Sequence, residues 1–205
     1  SQATSNVDVS RFFPDLLGGS NIAFGAEYRK EKYDIVAGEP GSYIDADGVG
    51  FGGNAGSQGF PGFQPSDATN KSRNSQALYL DWEASLTPAL TVDAAIRAEH
   101  YSDFGSTTTA KLAGSYKFGK EFLLRGAAST GFRAPSLQQL YFSSTFTDFI
   151  SGQPLDVVLA PNGSKITNAA GVPALKQEKS KNLSVGFTFK PSADTAITAD
   201  LYQIN

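Results

Sequence analysis

The run "RGAASTGFRAPSLQQLYF", residues 125–142, alternates until it meets a proline. In an extended strand, successive side chains point to opposite faces. Arg125, Ala127, Ser129, Gly131 and Arg133 therefore share one face, and Leu124, Gly126, Ala128, Thr130 and Phe132 share the other. The face with two arginines needs water or counter-charges, whereas the opposite face is apolar or small. Pro135 has no N–H for a ladder and pushes Ala134 into an extended conformation, so the strand stops there.

The same period of two runs along the chain. Ile22, Phe24, Ala26 and Tyr28 alternate with Asn21, Ala23, Gly25 and Glu27. Leu78, Leu80, Trp82 and Ala84 alternate with Tyr79, Asp81 and Glu83. Leu90 to Ala98, Ala110 to Phe118, Leu183 to Phe189 and Ile197 to Leu201 repeat the pattern, and "SNVDVSRFF" near the start gives a partial further strand. Seven or eight strands are expected, several about 12 to 15 residues long, against a usual mode of about 5 to 6.

The connections are of two kinds. Tight turns fall at "LLGGSN", "LTPAL", "FGKE" and "KPSADT". Between them lie the short "SDFGST" and two long links, about 37–73 and 134–178. If the strands run up and down, the tight turns gather at one rim and the long links at the other, as in outer-membrane barrels. A tilted strand crosses a bilayer in about 9 to 11 residues, so these strands are long enough to cross. The expectation is an all-β, antiparallel up-and-down transmembrane β-barrel segment with short turns at one rim and long loops at the other. Two aromatic girdles are expected: Phe118, Phe122, Phe187 and Phe189 at the short-turn rim, and Tyr28 and Phe132 at the other. A soluble β-sandwich with one buried face shows the same alternation and stays open at this point.

Composition narrows the class. The 205 residues carry 17 Lys+Arg against 20 Asp+Glu, a net charge of −3 without the basic excess of a nucleic-acid binder. Cysteine is absent, which excludes disulfides and thiolate metal sites. No apolar run approaches the roughly 18 residues of a spanning helix, and a barrel gives no such peak. The start "SQATSNVDVS" lacks methionine and signal-peptide character, so the chain reads as mature or cut from something longer.

The residues also carry a resemblance. "LRGAASTGFRAPSLQQLYF", with Gly131, Phe132, Arg133, Ala134, Pro135 and Ser136, closely resembles a segment that recurs in TonB-dependent outer-membrane receptors. "LKQEKSKNLSVGFTFKPSADTAITADLYQI", with Glu178, Lys179 and Ser180 opening its strand, is similar to the same family's following hairpin. The resemblance covers nearly the whole chain. It implies a barrel of about 22 strands around a separate plug, which moves when an inner-membrane TonB complex pulls on it. It implies a scarce nutrient as ligand, such as a ferric siderophore or a sugar-like molecule, and residence among the lipids of a Gram-negative outer membrane. With few strands and no plug or TonB box in sight, residues 1–205 are expected to be the middle-to-late part of such a barrel. The plug and the TonB complex would then be partners through other parts of the parent protein.

Individual residues follow from this reading. Asp81, Glu83, Arg97, Glu99, Lys111, Lys117, Arg125, Arg133 and Asp200 are expected on the lumen face, with cross-strand pairs such as Glu83 with Arg97. Candidate ligand contacts are Tyr43, Phe51, Phe60 and Phe63 in the first link, and Tyr141, Phe142, Phe146 and Phe149 in the second. The same rings are equally placed to pack loop on loop. Asp81 with Glu83 has the look of a glycosidase dyad, but same-face placement on a long strand is more simply lumen lining. "DADG" at 45–48 lacks the glutamate of a calcium loop at position 12, where Gly56 stands, so a plain turn is favoured. His100 is the sole histidine, so no multi-histidine metal site is available. No catalytic residue, metal or cofactor is assigned, and an enzyme is not expected. The alternatives are a soluble carbohydrate-binding β-sandwich and a passive porin.

Overall fold

The computed structural model describes residues 1–46, 56 and 61–205. The strands are β1 (Gln2–Phe13), β2 (Ser20–Ile35), β3 (Thr69–Ser85), β4 (Leu90–Tyr101), β5 (Gly105–Phe118) and β6 (Phe122–Arg133). A short helix α1 (Leu137–Tyr141), a hairpin of β7 (Ser144–Ile150) and β8 (Gln153–Leu159) and a second helix α2 (Lys165–Ala169) follow. The chain ends with β9 (Glu178–Ser192) and β10 (Thr195–Ile204). Eight strands form one sheet in the order β1-β2-β3-β4-β5-β6-β9-β10, with β1 and β10 at its two edges, so the sheet is not closed. The pairings from β3 through to β10 are antiparallel. This is an all-β barrel segment, with tight turns after β1, β3, β5 and β9 and longer connections after β2 and β6.

The chain divides into two compact units. One comprises Ser1–Gln2, Glu31–Arg73 and Pro135–Lys176, and the other Ala3–Lys30, Asn74–Ala134 and Gln177–Asn205. The second holds the body of the sheet.

In that second unit one face is apolar and uncovered. Leu78, Leu112, Leu183 and Leu201 are 66%, 63%, 60% and 73% exposed, and Val7, Phe24, Ile96 and Val185 are exposed with them. A sandwich would seal this set against a second sheet; here nothing among the described residues covers it, so the sandwich reading is not supported. The small residues of β6 are flanked by bulk from the neighbouring strands. Ala128 lies between Leu112 and Leu183, and Leu124 between Tyr116 and Phe187.

The opposite face carries charge, and several of the charges are paired. Arg97 binds Glu99 and reaches Glu27 at 3.4 Å, while Arg29 reaches Glu27 at 3.0 Å. The Tyr101 hydroxyl donates to Glu99 at 2.6 Å. Lys111 holds Asp93 at 3.1 Å. The expected pair of Glu83 with Arg97 does not form. The four-residue turn after β3 sets Glu83 opposite Asp93 and Arg97 opposite Tyr79. Arg97 is thus four residues beyond Glu83's partner, about 13 Å along the strand.

Two inward glycines each lie beneath a cross-strand pair. Arg125 on β6 and Asp200 on β10 both face Gly186 on β9, and the Arg125 guanidinium donates twice to the Asp200 carboxylate, at 2.9 and 2.6 Å. A Cβ on Gly186 would collide with that carboxylate. In the same way the Tyr79 hydroxyl donates to Asp8 at 2.6 Å across Gly25, where a Cβ would sit 2.6 Å from the Tyr79 ring. The absence of a side chain lets a pair span two strand spacings. Gly186→Ala is accordingly expected to lower the urea midpoint by displacing Asp200. Adding Asp200→Ala removes the colliding group, so the double variant is expected to lose less than the two single losses combined. Additive losses would show that the pair does not depend on the glycine.

Aromatic rings gather at both rims of this unit. Toward the tight turns, Tyr116–Phe118, Phe118–Phe122 and Phe122–Phe187 lie at centroid distances of 4.6, 5.8 and 5.7 Å. Trp82 adds an indole N–H donated to Ser20 Oγ at 3.3 Å. At the other rim Tyr101, Phe104 and Phe132 form a second cluster, at 4.4 to 5.7 Å. Tyr116 and Trp82 of the first set have the polar edge that suits a membrane–water boundary, whereas Tyr101 of the second lies on the charged face with its hydroxyl on Glu99.

Candidate functional site

The residues singled out by motif lie in two sequence stretches separated by the connection 134–177, and strand pairing joins them. Gly131 pairs with Ser180, Phe132 with Lys179 and Arg133 with Glu178. Arg133 and Glu178 form an exposed ion pair at 3.6 Å. A Cβ on Gly131 would strike Ser180 Oγ, so the glycine makes room for that hydroxyl. Phe132 packs against Tyr101 and Phe104 at the end of β4 and the turn that follows it. Ala134 closes the strand, as the residue before a proline should.

The motif continues in the other unit. Ser136 caps α1 through a capping box: its Oγ accepts from the Gln139 N–H at 3.1 Å, and Gln139 Oε1 accepts from the Ser136 N–H at 2.8 Å. Leu137, 6% exposed, anchors the helix. The carbonyl of Pro135 accepts a hydrogen bond from Arg73 Nη1 at 2.8 Å. The other edge of the Arg73 guanidinium donates to Glu31 from Nε at 2.8 Å and from Nη2 at 2.6 Å. The Arg73 side chain is 4% exposed. One buried arginine therefore ties β2, β3 and the residue after β6 together. Nearby in sequence, Asp67 is buried and accepts from the Ser143 hydroxyl at 2.9 Å and the Gln64 N–H at 3.0 Å. Arg73, Asp67 and Ser143 carry this arrangement, and sequence reading missed all three. The alternation that marks a membrane strand fades in the polar run "TNKSRNS", so Arg73 read as loop. An arginine in the same odd-numbered register as Tyr79 and Asp81 was the available signal.

The aromatic candidates separate by environment. Phe63 and Phe142 meet edge to face at 6.3 Å, and Lys71 Nζ lies 5.3 Å from the centre of the Tyr141 ring. Phe63 and Phe142 are thus engaged with each other, and Tyr141 with a lysine of β3. Tyr43 follows a 3-10 turn at Pro40–Ser42 and is half-buried. Phe146 is half-buried on β7, whereas Phe149 is 60% exposed near the hairpin tip. Phe51 and Phe60 lie outside the described residues. Asp81, Glu83, Arg97, Glu99, Arg125 and Asp200 share the charged face through the strand registers. Among the described residues no group of three or more His, Asp or Glu side chains is placed to hold a metal ion.

Within the second unit the arrangement is therefore a sheet with one exposed apolar face and one charge-bearing face. A family model described as TonB dependent receptor-like, beta-barrel, matches residues 2–205. Among solved structures, the siderophore receptor PirA from Pseudomonas aeruginosa is 18% identical with a TM-score of 0.64, over 99% of this chain and 31% of that one. A variant of the ferric enterobactin receptor PfeA from Pseudomonas aeruginosa is 18% identical with a TM-score of 0.66, over 99% and 26%. The siderophore receptor PirA from Acinetobacter baumannii is 16% identical with a TM-score of 0.62, again over 99% and 26%. The chain thus spans less than a third of the length of these receptors. A search of curated protein sequences returned no match. An apolar face uncovered among the described residues, a charge-bearing face opposite it and the family match over residues 2–205 agree, and the chain belongs to the TonB-dependent receptor-like β-barrel family.

Proposed function

We propose that residues 1–205 form part of the barrel of a larger outer-membrane receptor in a Gram-negative bacterium. The receptor takes up a ferric siderophore in a step driven through TonB, and sequence outside this chain supplies the plug. Family membership over residues 2–205 is the observation that carries the reading. The siderophore class is taken from the neighbours, one of which is a ferric enterobactin receptor variant in complex with enterobactin. The physical properties agree. Exposed leucines on one face require hydrocarbon, and a face of paired charges suits a wet bore or a polar plug. Exposed aromatic side chains on long connections suit a ligand with aromatic or hydrophobic surface.

Ligand capture falls to the loop-rim aromatics that are not already engaged. Phe149 is foremost, with Phe146 and Tyr43 beside it as candidates. Gly131 to Arg133 with Glu178 to Ser180 are the paired strand ends where the chain leaves β6 and returns to β9. Phe149→Ala is expected to weaken siderophore binding about three- to tenfold, read by fluorescence titration, the range expected for one aromatic contact. The function itself is tested by uptake of radio-iron-loaded siderophore into cells with and without the intact gene. Uptake should need the protein and should stop when the proton gradient is collapsed. Uptake that survives the collapse would indicate a passive pore, and uptake without the protein would remove the assignment.

A further inference from the structure

The ladder between β5 and β6 is shorter than either strand. It ends at Lys111 opposite Ser129, although β5 begins at Gly105 and β6 runs on to Arg133. One step further the Ala110 N–H donates to the Thr130 hydroxyl, at 2.9 Å, instead of to a carbonyl. Beyond that point the two strands part, and a crevice of about 610 Å³ opens between them. It is lined from the charged face by Thr107, Thr109 and Ser180 and from the other face by Ser106, Thr108, Thr130, Lys179 and Lys181.

These five side chains share one face. In strand register Ser106 and Thr108 alternate with the inward residues of β5, Thr130 falls in step with Ala128, and Lys179 and Lys181 fall in step with Leu183. That is the uncovered apolar face, and all five residues are exposed on it. Neither lysine has an ion-pair partner among the described residues. The neighbouring carboxylate Glu178 faces the other way and is held by Arg133. Lys181 lies two residues from the exposed Leu183, about 7 Å along the strand, at the rim that carries the long connections. Two ammonium groups without an ion-pair partner among the described residues, the Thr108 hydroxyl, and the hydroxyls of Ser106 (bonded to His100) and Thr130 (bonded to Ala110) therefore border a crevice above the exposed leucines.

We propose that this crevice seats the phosphorylated headgroup of an outer-leaflet lipid, with its acyl chains lying along Leu112 and Leu183. The inference rests on the membrane reading under Proposed function. Phosphate oxygens accept a hydrogen bond from Thr108 and ion-pair with Lys179 and Lys181, while the Ser106 hydroxyl is shared with His100 Nδ1 and the Thr130 hydroxyl with Ala110. Charge complementarity selects an anionic headgroup over a zwitterionic or neutral one. The ladder gap gives the headgroup a recess, which a continuous sheet would not provide.

The test uses the full receptor purified in detergent, with bis-phosphorylated lipid A as the probe and native mass spectrometry as the readout. The same lipid with its phosphates removed and inorganic phosphate alone are the comparison arms. The phosphorylated lipid should bind, and Lys179→Gln with Lys181→Gln should weaken it about 30-fold, two lysines each contributing about fivefold beside an anionic surface. Lys179→Arg with Lys181→Arg should restore binding, which separates charge from damage to the fold. Equal affinity in the glutamine variant, or equal binding of the dephosphorylated lipid, overturns the inference. Inorganic phosphate binding as tightly as the lipid assigns the crevice to a free anion and overturns the lipid source. Failure of the protein to enter vesicles removes the membrane reading, and this inference with it; entry without preference for phosphate removes this inference alone.

Discussion

Leu112→Arg abolishes assembly into a bilayer, whereas Lys117→Ala leaves assembly intact. That outcome is expected because the two positions lie on opposite faces of the same strand. Leu112 lies in the middle of β5, between Ala94 and Ala128, and is 63% exposed on the apolar face. A guanidinium there would sit in hydrocarbon, at a cost of about 2–4 kcal/mol near the midplane of a barrel. Lys117 takes the opposite parity, pairs with Leu123 next to the tight turn after β5, and can be shortened without exposing the hydrocarbon face to charge. The measurement is heat-modifiable gel mobility and protease protection after addition to lipid vesicles. The comparison is sharp because Leu112 is so exposed. Were the chain water-soluble, an arginine on such a surface would change stability by no more than about 0.5 kcal/mol. Equal tolerance at both sites would therefore invert or remove the assignment of faces.

The second large effect is expected at Arg73. Arg73→Ala deletes at least three hydrogen bonds at once, among them two to Glu31 and one to the Pro135 carbonyl. Breaking a buried ion pair by removing one member costs about 3–5 kcal/mol, because the other charge is left uncompensated. The Glu31 side chain is 27% exposed, so water recovers part of that charge and the loss should fall at the lower end. The damage should be local. Amide exchange should accelerate across residues 135–142, where the carbonyl anchor and the capped helix lie, while β4 and β5 keep their protection. Arg73→Lys should recover the Glu31 contact only in part, since an ammonium lacks the fork that serves Glu31 and Pro135 together. Unchanged exchange across 135–142 in Arg73→Ala would show that the arginine does not hold the junction.

Much of the fold was readable before any coordinates, and the reason is local. Alternation is a property of the extended backbone, so "ALTVDAAIRAEHY" and "KNLSVGFTFK" declare their faces without reference to a neighbour. Tight turns announce themselves in the same way. The hairpin of β7 and β8 was missed although its turn carried a signal. Ser151 and Gly152 both have positive φ, 52° and 80°, the two-residue turn that suits a strand pair. Within a long Gly- and Pro-bearing link, strands of seven residues gave too short an alternation to stand out.

The candidate site was less legible. Gly131 to Ser136 and Glu178 to Ser180 were identified by resemblance, and nothing in their spacing says that Arg133 meets Glu178. That contact depends on register across an intervening connection. Asp67 with Ser143, and Arg73 with Glu31 and Pro135, are likewise partners far apart in the chain. None of these residues belongs to a local pattern of its own.

From residue order alone one learns which side of the sheet each side chain takes, where the chain turns, and that one side is greasy while the other is charged. These follow from covalent geometry and act over a few residues. Which charges meet, why Gly186 must be small, how Arg73 came to be buried, and that β5 and β6 part above Thr130 were set by register and by the return of distant segments. A one-step slip in register would leave every local preference satisfied and change every one of those contacts.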